Sequence, residues 1–107
     1  MIQISTEFDE EIPRWDVALE SLLNEEHHKL GRALQIDDFH HLAAQHAIRF
    51  DDIMATLFEL ALNGNWRYAD HDDPRPLTRD RVNRLYINGR LDPKDVREFR
   101  GEWSPNS

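Results

Sequence analysis

The sequence predicts a mainly α-helical fold: a small single domain, residues 1–107, of about five helices with room for a minor β-hairpin. Three observations predict it. Apolar residues recur at helical spacing in three long segments between residues 13 and 63. Two of those segments run into a glycine, Gly31 and Gly64, where a helix stop belongs. Leu, Ile, Val and Phe supply 27 of the 107 residues, enough for one compact core and above the roughly one-fifth typical of chain-wide disorder.

Ile2 and Ile4 alternate with polar neighbours, so residues 1–10 are expected to form a flexible arm or a short strand. Residues 13–30 place Trp15, Ala18, Leu19, Leu22, Leu23 and Leu30 on one helical face. Pro13 suits a first helical position, where its missing N–H would be unpaired anyway, and the acids around it suit the positive end of the helix dipole. Residues 37–47 form a second helix, capped by Asp37 or Asp38, with Phe39, Leu42, Ala43 and His46 on one side. Residues 51–63 form the third. Asp51 is a candidate cap, and Asn63-Gly64 gives a left-handed stop. Eight residues from Ile53 to Leu62 are apolar; Asp52, Thr56, Glu59 and Asn63 fall in one narrow stripe, extended by Arg49, that is expected to face solvent.

Residues 65–68 read as a short strand and residues 69–76 as a loop. Thr78 caps a fourth helix that turns Val82, Leu85 and Tyr86 inward and stops at Asn88-Gly89. Asp92-Pro93 starts a short fifth helix, with Leu91 and Val96 as a hydrophobic staple, Phe99 on the same face and Gly101 at its end. Residues 104–107 are expected to be a frayed tail.

Residues 38–68 resemble a winged helix-turn-helix segment. A short helix with a Leu42-Ala43 pair leads through a tight turn ending at Ile48 into a longer helix, a glycine, a strand and a loop in the place of a wing. The resemblance implies DNA binding through the second of the two helices. The residues argue otherwise. That helix would offer DNA the stripe Arg49, Asp52, Thr56, Glu59 and Asn63, with Asp51 alongside, whereas phosphate neutralisation relies on Lys and Arg. The turn also carries Ala47 where this family commonly has glycine.

The charge is unevenly divided. The formal net charge is −8, distributed as −6 over residues 1–30, −5 over residues 31–73 and +3 over residues 74–107. Arginine supplies 11 of the 13 basic residues. The basic C-terminal arginines read either as a phosphate or nucleic-acid patch or as partners for the acidic first helix of the same or a neighbouring chain. The second reading fits the interspersed Asp80, Asp92, Asp95 and Glu98 and the bidentate geometry of arginine.

Several functions are set aside. Without cysteine there is no disulfide framework, thiolate metal site or thiol nucleophile. The longest apolar stretch, 53–62, falls far short of the roughly 20 residues of a bilayer span. The acids at positions 7 and 9–11 stand where a secretory leader carries Lys or Arg, so a cytoplasmic, membrane-independent protein is expected. No two of the six histidines lie three or four residues apart, and the Asp70–Asp73 loop has Arg75 and Arg81 where a calcium loop needs Gly and Glu; no metal or cofactor is expected. No serine sits in a catalytic motif and no glycine-rich phosphate loop exists, so no enzyme is expected.

The apolar excess of residues 53–62 has two readings: a central helix buried on most sides, or a helix that lends part of its face to a dimer or partner. The second makes Met54, Phe58 and Leu62 the contact residues, with Trp66 as an anchor and Arg81 and Arg84 at the rim. Trp103, near the tail, is the other aromatic anchor. The resulting expectation is a small acidic regulatory protein, homodimeric, that binds and inhibits a nucleic-acid-binding or transcription regulator in the manner of an anti-activator. It would cover that partner's dimerisation surface through residues 53–62, or its DNA-binding surface through the acids of residues 7–26, with no direct nucleic-acid contact. The alternative is a winged-helix DNA-binding regulator that uses its C-terminal arginines.

Overall fold

A computed structural model of the chain describes residues 16–87, 90–91 and 96–106. Its main body is three helices: α1 (Val17–Leu30), α2 (Ile36–His46) and α3 (Phe50–Leu62). Strand β1 (Trp66–Ala69), a short helix α4 (Arg79–Asn83), the paired strands β2 (Tyr86–Ile87) and β3 (Arg90–Leu91), and strand β4 (Glu102–Pro105) follow. The fold is mainly helical with small antiparallel sheets, as the periodicity predicts.

Helix α1 starts at Asp16, whose carboxylate accepts from the amides of Ala18 and Leu19 at 2.9 and 3.2 Å, the ordinary solution for unpaired N-terminal N–H groups. It stops at Gly31, in the left-handed region at φ 67°. The expected start at Pro13, the arm at residues 1–10 and the role of Trp15 lie outside the described residues.

Helix α2 begins earlier than the sequence suggests, its cap two residues before Asp37 and three before Asp38. Its N-cap is Gln35, and Asp38 sits one turn in. There the Asp38 carboxylate accepts from the Gln35 amide at 2.7 Å and from two Arg32 nitrogens at 2.8 and 2.9 Å. Helix α3 likewise begins at Phe50 after Arg49, which leaves Asp51 in the first turn rather than at the cap. It ends as expected, with Gly64 at φ 87°.

Helix α3 is the centre of the core and packs against α1, α2, β1 and β3. Ile53, Met54, Leu57, Phe58 and Leu60 are buried, and so is Thr56. The solvent stripe expected on this helix is therefore interrupted: Thr56 faces inward, and Glu59 is held by Arg79.

Strand β1 pairs antiparallel with β4, Trp66 opposite Pro105 and Ala69 opposite Glu102. On its other side β4 is bridged by Leu34, whose amide and carbonyl exchange hydrogen bonds with Trp103 at 2.7 and 2.8 Å. Ser104 and Pro105 of the expected frayed tail thus belong to a strand. Trp103 is fully buried, edge-on to Phe39 and Phe58 and tilted against Tyr68. Asn106 continues the attachment, its amide donating to the Asn65 carbonyl at 2.9 Å.

The helix, tight turn, helix and strand order agrees with the helix-turn-helix resemblance. The strand's return does not come from an adjacent hairpin: β4 rejoins β1 only after the segment that carries α4, β2 and β3. Thr78 caps α4 as expected, accepting from the Arg81 amide at 3.2 Å. That helix ends earlier than Asn88-Gly89, and Tyr86 belongs to a strand paired with Leu91. Val96 and Phe99 are buried with Leu91; the expected helix start at Asp92-Pro93 lies outside the described residues.

Candidate protein-binding groove

The apolar width of α3 is consumed inside the chain. Met54 and Phe58 have no exposed surface, and Trp66 retains 2 %. Phe58 stands edge-on to Phe99 and Trp103 with ring centroids 5.0 and 5.5 Å apart. Leu62 is half-buried against the same core. The face expected to meet a partner through Met54, Phe58 and Trp66 is therefore not presented: a short β-sheet and the C-terminal aromatics cover it.

The rim arginines divide. Arg81 is built into the structure: it bonds Asp73 at 2.9 Å and the Arg75 carbonyl at 3.2 Å, and its guanidinium lies 4.7 Å over the Phe99 ring. Such a stacked, hydrogen-bonded guanidinium is held in place. Arg84 is exposed. Arg75 forms a two-pronged pair with Asp73 at 2.7 and 2.8 Å, and this holds the Asp73 carboxyl well below the usual carboxylate range. With the Arg79–Glu59 pair, three C-terminal arginines are engaged by the 70s loop and α3. The sequence reading favours pairing with the acidic first helix of the same or a neighbouring chain; for these three the acids are instead Asp73 and Glu59 of the same chain.

Among the described residues a different surface is left open. Where α1 crosses α3, a groove of about 750 Å³ runs between them. Its apolar wall comes from Leu19 and Leu22 on α1, Ile48 in the α2–α3 turn and Ala55 on α3; Asp16, Glu25 and Asp52 stand along it. Leu19 and Leu22 lie one turn apart and so share a face of α1. Ile48 is placed by the turn: Ala47 takes the left-handed conformation at φ 54°, and the Ile48 amide donates back to the Ala43 carbonyl at 3.0 Å. Thr56 and Ser21 add hydroxyls to the lining.

No Lys, Arg or His lines this groove among the described residues. Glu25 and Asp52 form no ion pair among the described residues, and Asp16 spends one oxygen on the α1 cap. A second depression of about 570 Å³ shares Leu22 and Glu25 and continues toward the end of α2. It mixes charges, with Lys29, His28 and His46 beside Glu25 and Glu26.

Among the described residues no group of three His, Asp or Glu side chains converges as a metal site would require, and no described helix is long and apolar enough to cross a membrane. The sequence places Asp16 and Glu25 among the acids of residues 7–26 that could meet a basic partner and Asp52 on a solvent stripe, but nothing in it brings the three together. Comparisons with protein families, with characterised proteins and with solved structures find no match to this chain.

Proposed function

We propose that this chain is a small acidic regulatory protein that binds a basic protein partner and inhibits it, the partner being a nucleic-acid-binding or transcription regulator whose basic surface is then occupied. The observation that carries the reading is the α1–α3 groove, apolar along its wall and flanked by Asp16, Glu25 and Asp52 without a lining cation among the described residues. Apolar area supplies affinity, while a single sign of charge steers encounter and selects partners of the opposite sign. Of the two routes open to such an inhibitor, the acidic one is favoured, because Met54 and Phe58 are committed to the core.

The competing reading is a winged-helix DNA binder that uses its C-terminal arginines. Arg75, Arg79 and Arg81 are already paired with carboxylates, which lowers the positive field they offer to phosphates. A salt titration against duplex DNA separates the two. Absence of sub-micromolar binding is expected; tight binding with a steep salt slope overturns the proposal. A positive test follows from affinity capture with the full chain, identification of the captured protein, and an electrophoretic shift assay of that protein's nucleic-acid binding. Addition of this chain is expected to abolish the shift, and an unchanged shift counts against inhibition.

A further inference from the structure

We infer that the α1–α3 groove takes one amphipathic helix bearing Lys or Arg, supplied by another protein. The inference rests on the proposed protein-binding function and specifies its site and the chemistry of its partner. The charge of the groove selects a basic occupant. Among the described residues, Asp16, Glu25 and Asp52 are exposed anions along it, Glu25 and Asp52 without ion-pair partners; the lining holds no cation, and Lys29 and His28 stand beside Glu25 only in the adjoining depression.

The walls select a helix over a strand. Addition of a strand requires a sheet edge with open N–H and C=O groups. Both long walls here are α-helices whose backbone groups are bonded within the helix, so they offer only side chains. A row of side chains between two helices is instead the geometry that receives the apolar stripe of a third helix. Asp16 and Glu25 are nine residues apart on α1, about 13 Å along its axis. An occupant of two to three turns therefore spans the groove, with apolar residues at i, i+3, i+4 and i+7 toward Leu19, Leu22, Ile48 and Ala55 and cations along its flanks.

The carboxylates are not equivalent. Asp16 caps α1, and Asp52 lies in the first turn of α3, where the positive ends of the helix dipoles offset part of their charge. Glu25 lies more than two turns into α1, beyond the reach of that offset. Glu25 is accordingly the dominant recognition charge.

The test uses the full chain and a synthetic 14-residue probe of leucine and lysine in amphipathic helical order. Its matched partner carries glutamate in place of lysine. Binding is followed by fluorescence anisotropy of the probe and by amide chemical shifts of the protein. The lysine probe is expected to bind and the glutamate probe not to bind. Shifts should concentrate at residues 16–25, 48 and 52–56. Glu25→Lys is expected to weaken binding about tenfold, Asp52→Lys by less, and Asp72→Lys, an exposed charge in the 70s loop, not at all. Equal weakening by Asp72→Lys and Glu25→Lys would show general electrostatic attraction and overturn the inference, as would shifts centred elsewhere or unchanged affinity in Glu25→Lys. A natural partner captured equally well by Glu25→Lys overturns the groove assignment and leaves the protein-binding function standing. Probe binding as described, with no inhibition of any captured regulator, sinks the function and leaves the groove.

Discussion

The backbone of Gly101 lies directly against the carbonyl of Ala69: a Cβ on Gly101 would overlap that oxygen, and the next nearest atoms are the Ala69 carbonyl carbon and the Asp70 Cβ. The Gly101 amide meanwhile donates to the Tyr68 hydroxyl at 3.0 Å. This close passage is where β4 enters its pairing with β1. The obstacle is mostly backbone, so no side chain can swing aside. Gly101→Ala is expected to cost at least about 2–3 kcal/mol, the range of an overpacked interior, read as a lowered urea midpoint. An unchanged midpoint would show that the strand entry relaxes freely.

The Arg32–Asp38 pair joins the α1–α2 connection to the first turn of α2. Arg32 holds the Asp38 carboxyl below its ordinary value, with the Gln35 amide contributing. A carboxylate depressed in the folded state stabilises above its unfolded pKa, and that contribution is lost as pH falls through the folded value. Asp38→Ala is expected to lose about 1–2 kcal/mol at neutral pH, as for loss of a helix-terminal capping carboxylate. The gap between wild type and variant should close below about pH 4. A gap that persists unchanged at pH 2 would show that packing, not charge, sets the effect.

Ala47 is the non-glycine residue at positive φ among those described. A β-carbon in the left-handed region costs about 1–2 kcal/mol, against which glycine brings about 0.5–1 kcal/mol of extra chain entropy on folding. Ala47→Gly is therefore expected to raise stability by about 0.5 kcal/mol, measured as a denaturant midpoint at constant slope. A lowered midpoint would indicate that the Ala47 methyl makes compensating contacts.

Phe58→Asp separates a core helix from an interface helix. A surface Phe58 would let the variant stay folded and merely lose a partner. Phe58 instead packs against Phe99 and Trp103 with no exposure, so the variant strands a carboxylate in an apolar site, a change of more than about 4 kcal/mol. Loss of the folded signal in circular dichroism is expected; native helicity would return the face of α3 to candidate interface status.

Local signals carried the helices well. The 3.6-residue spacing located α1, α2 and α3 to within a few residues, and Gly31, Gly64 and Thr78 act as stop, stop and cap where the sequence placed them. Those features are fixed by neighbours a few positions apart. Trp103 is different, since its strand partners are Leu34 and Tyr68, far away in the chain, and a four-residue strand with a proline near a chain end has no local signature. The helix expected to run to Asn88-Gly89 stops at Asn83 instead, because Tyr86 pairs as a strand with Leu91. Thr56 looked solvent-facing by polarity, but a lone hydroxyl does not outweigh the helix around it. The groove was illegible for the same reason: Leu22, Glu25, Ile48 and Asp52 converge only because α1 crosses α3, with α2 intervening in sequence.

Tyr68 ties the sheet to the loop that follows it. Its hydroxyl accepts from the Gly101 amide and donates to Asp70 at 3.2 Å, beneath Phe99 and Trp103. Burial is the main reason that its phenol is pushed up to about 12, with the nearby Asp70 carboxylate adding to the rise. A phenol raised in the folded state contributes stability that is fully present below its unfolded pKa, near 10, and is lost as pH rises toward the folded value. The chain should therefore lose stability steeply between about pH 10 and 12. Tyr68→Phe should lower stability by about 1–2 kcal/mol at neutral pH through the unpaired Gly101 amide, yet show a flatter alkaline decline. Burial also raises the Tyr86 phenol, so the variant keeps one late-titrating group. Phenolate absorbance followed across the alkaline range should accordingly lose its component near 12 in Tyr68→Phe. A component near 12 that survives in the variant, with the earlier one lost, would place it at Tyr86 instead.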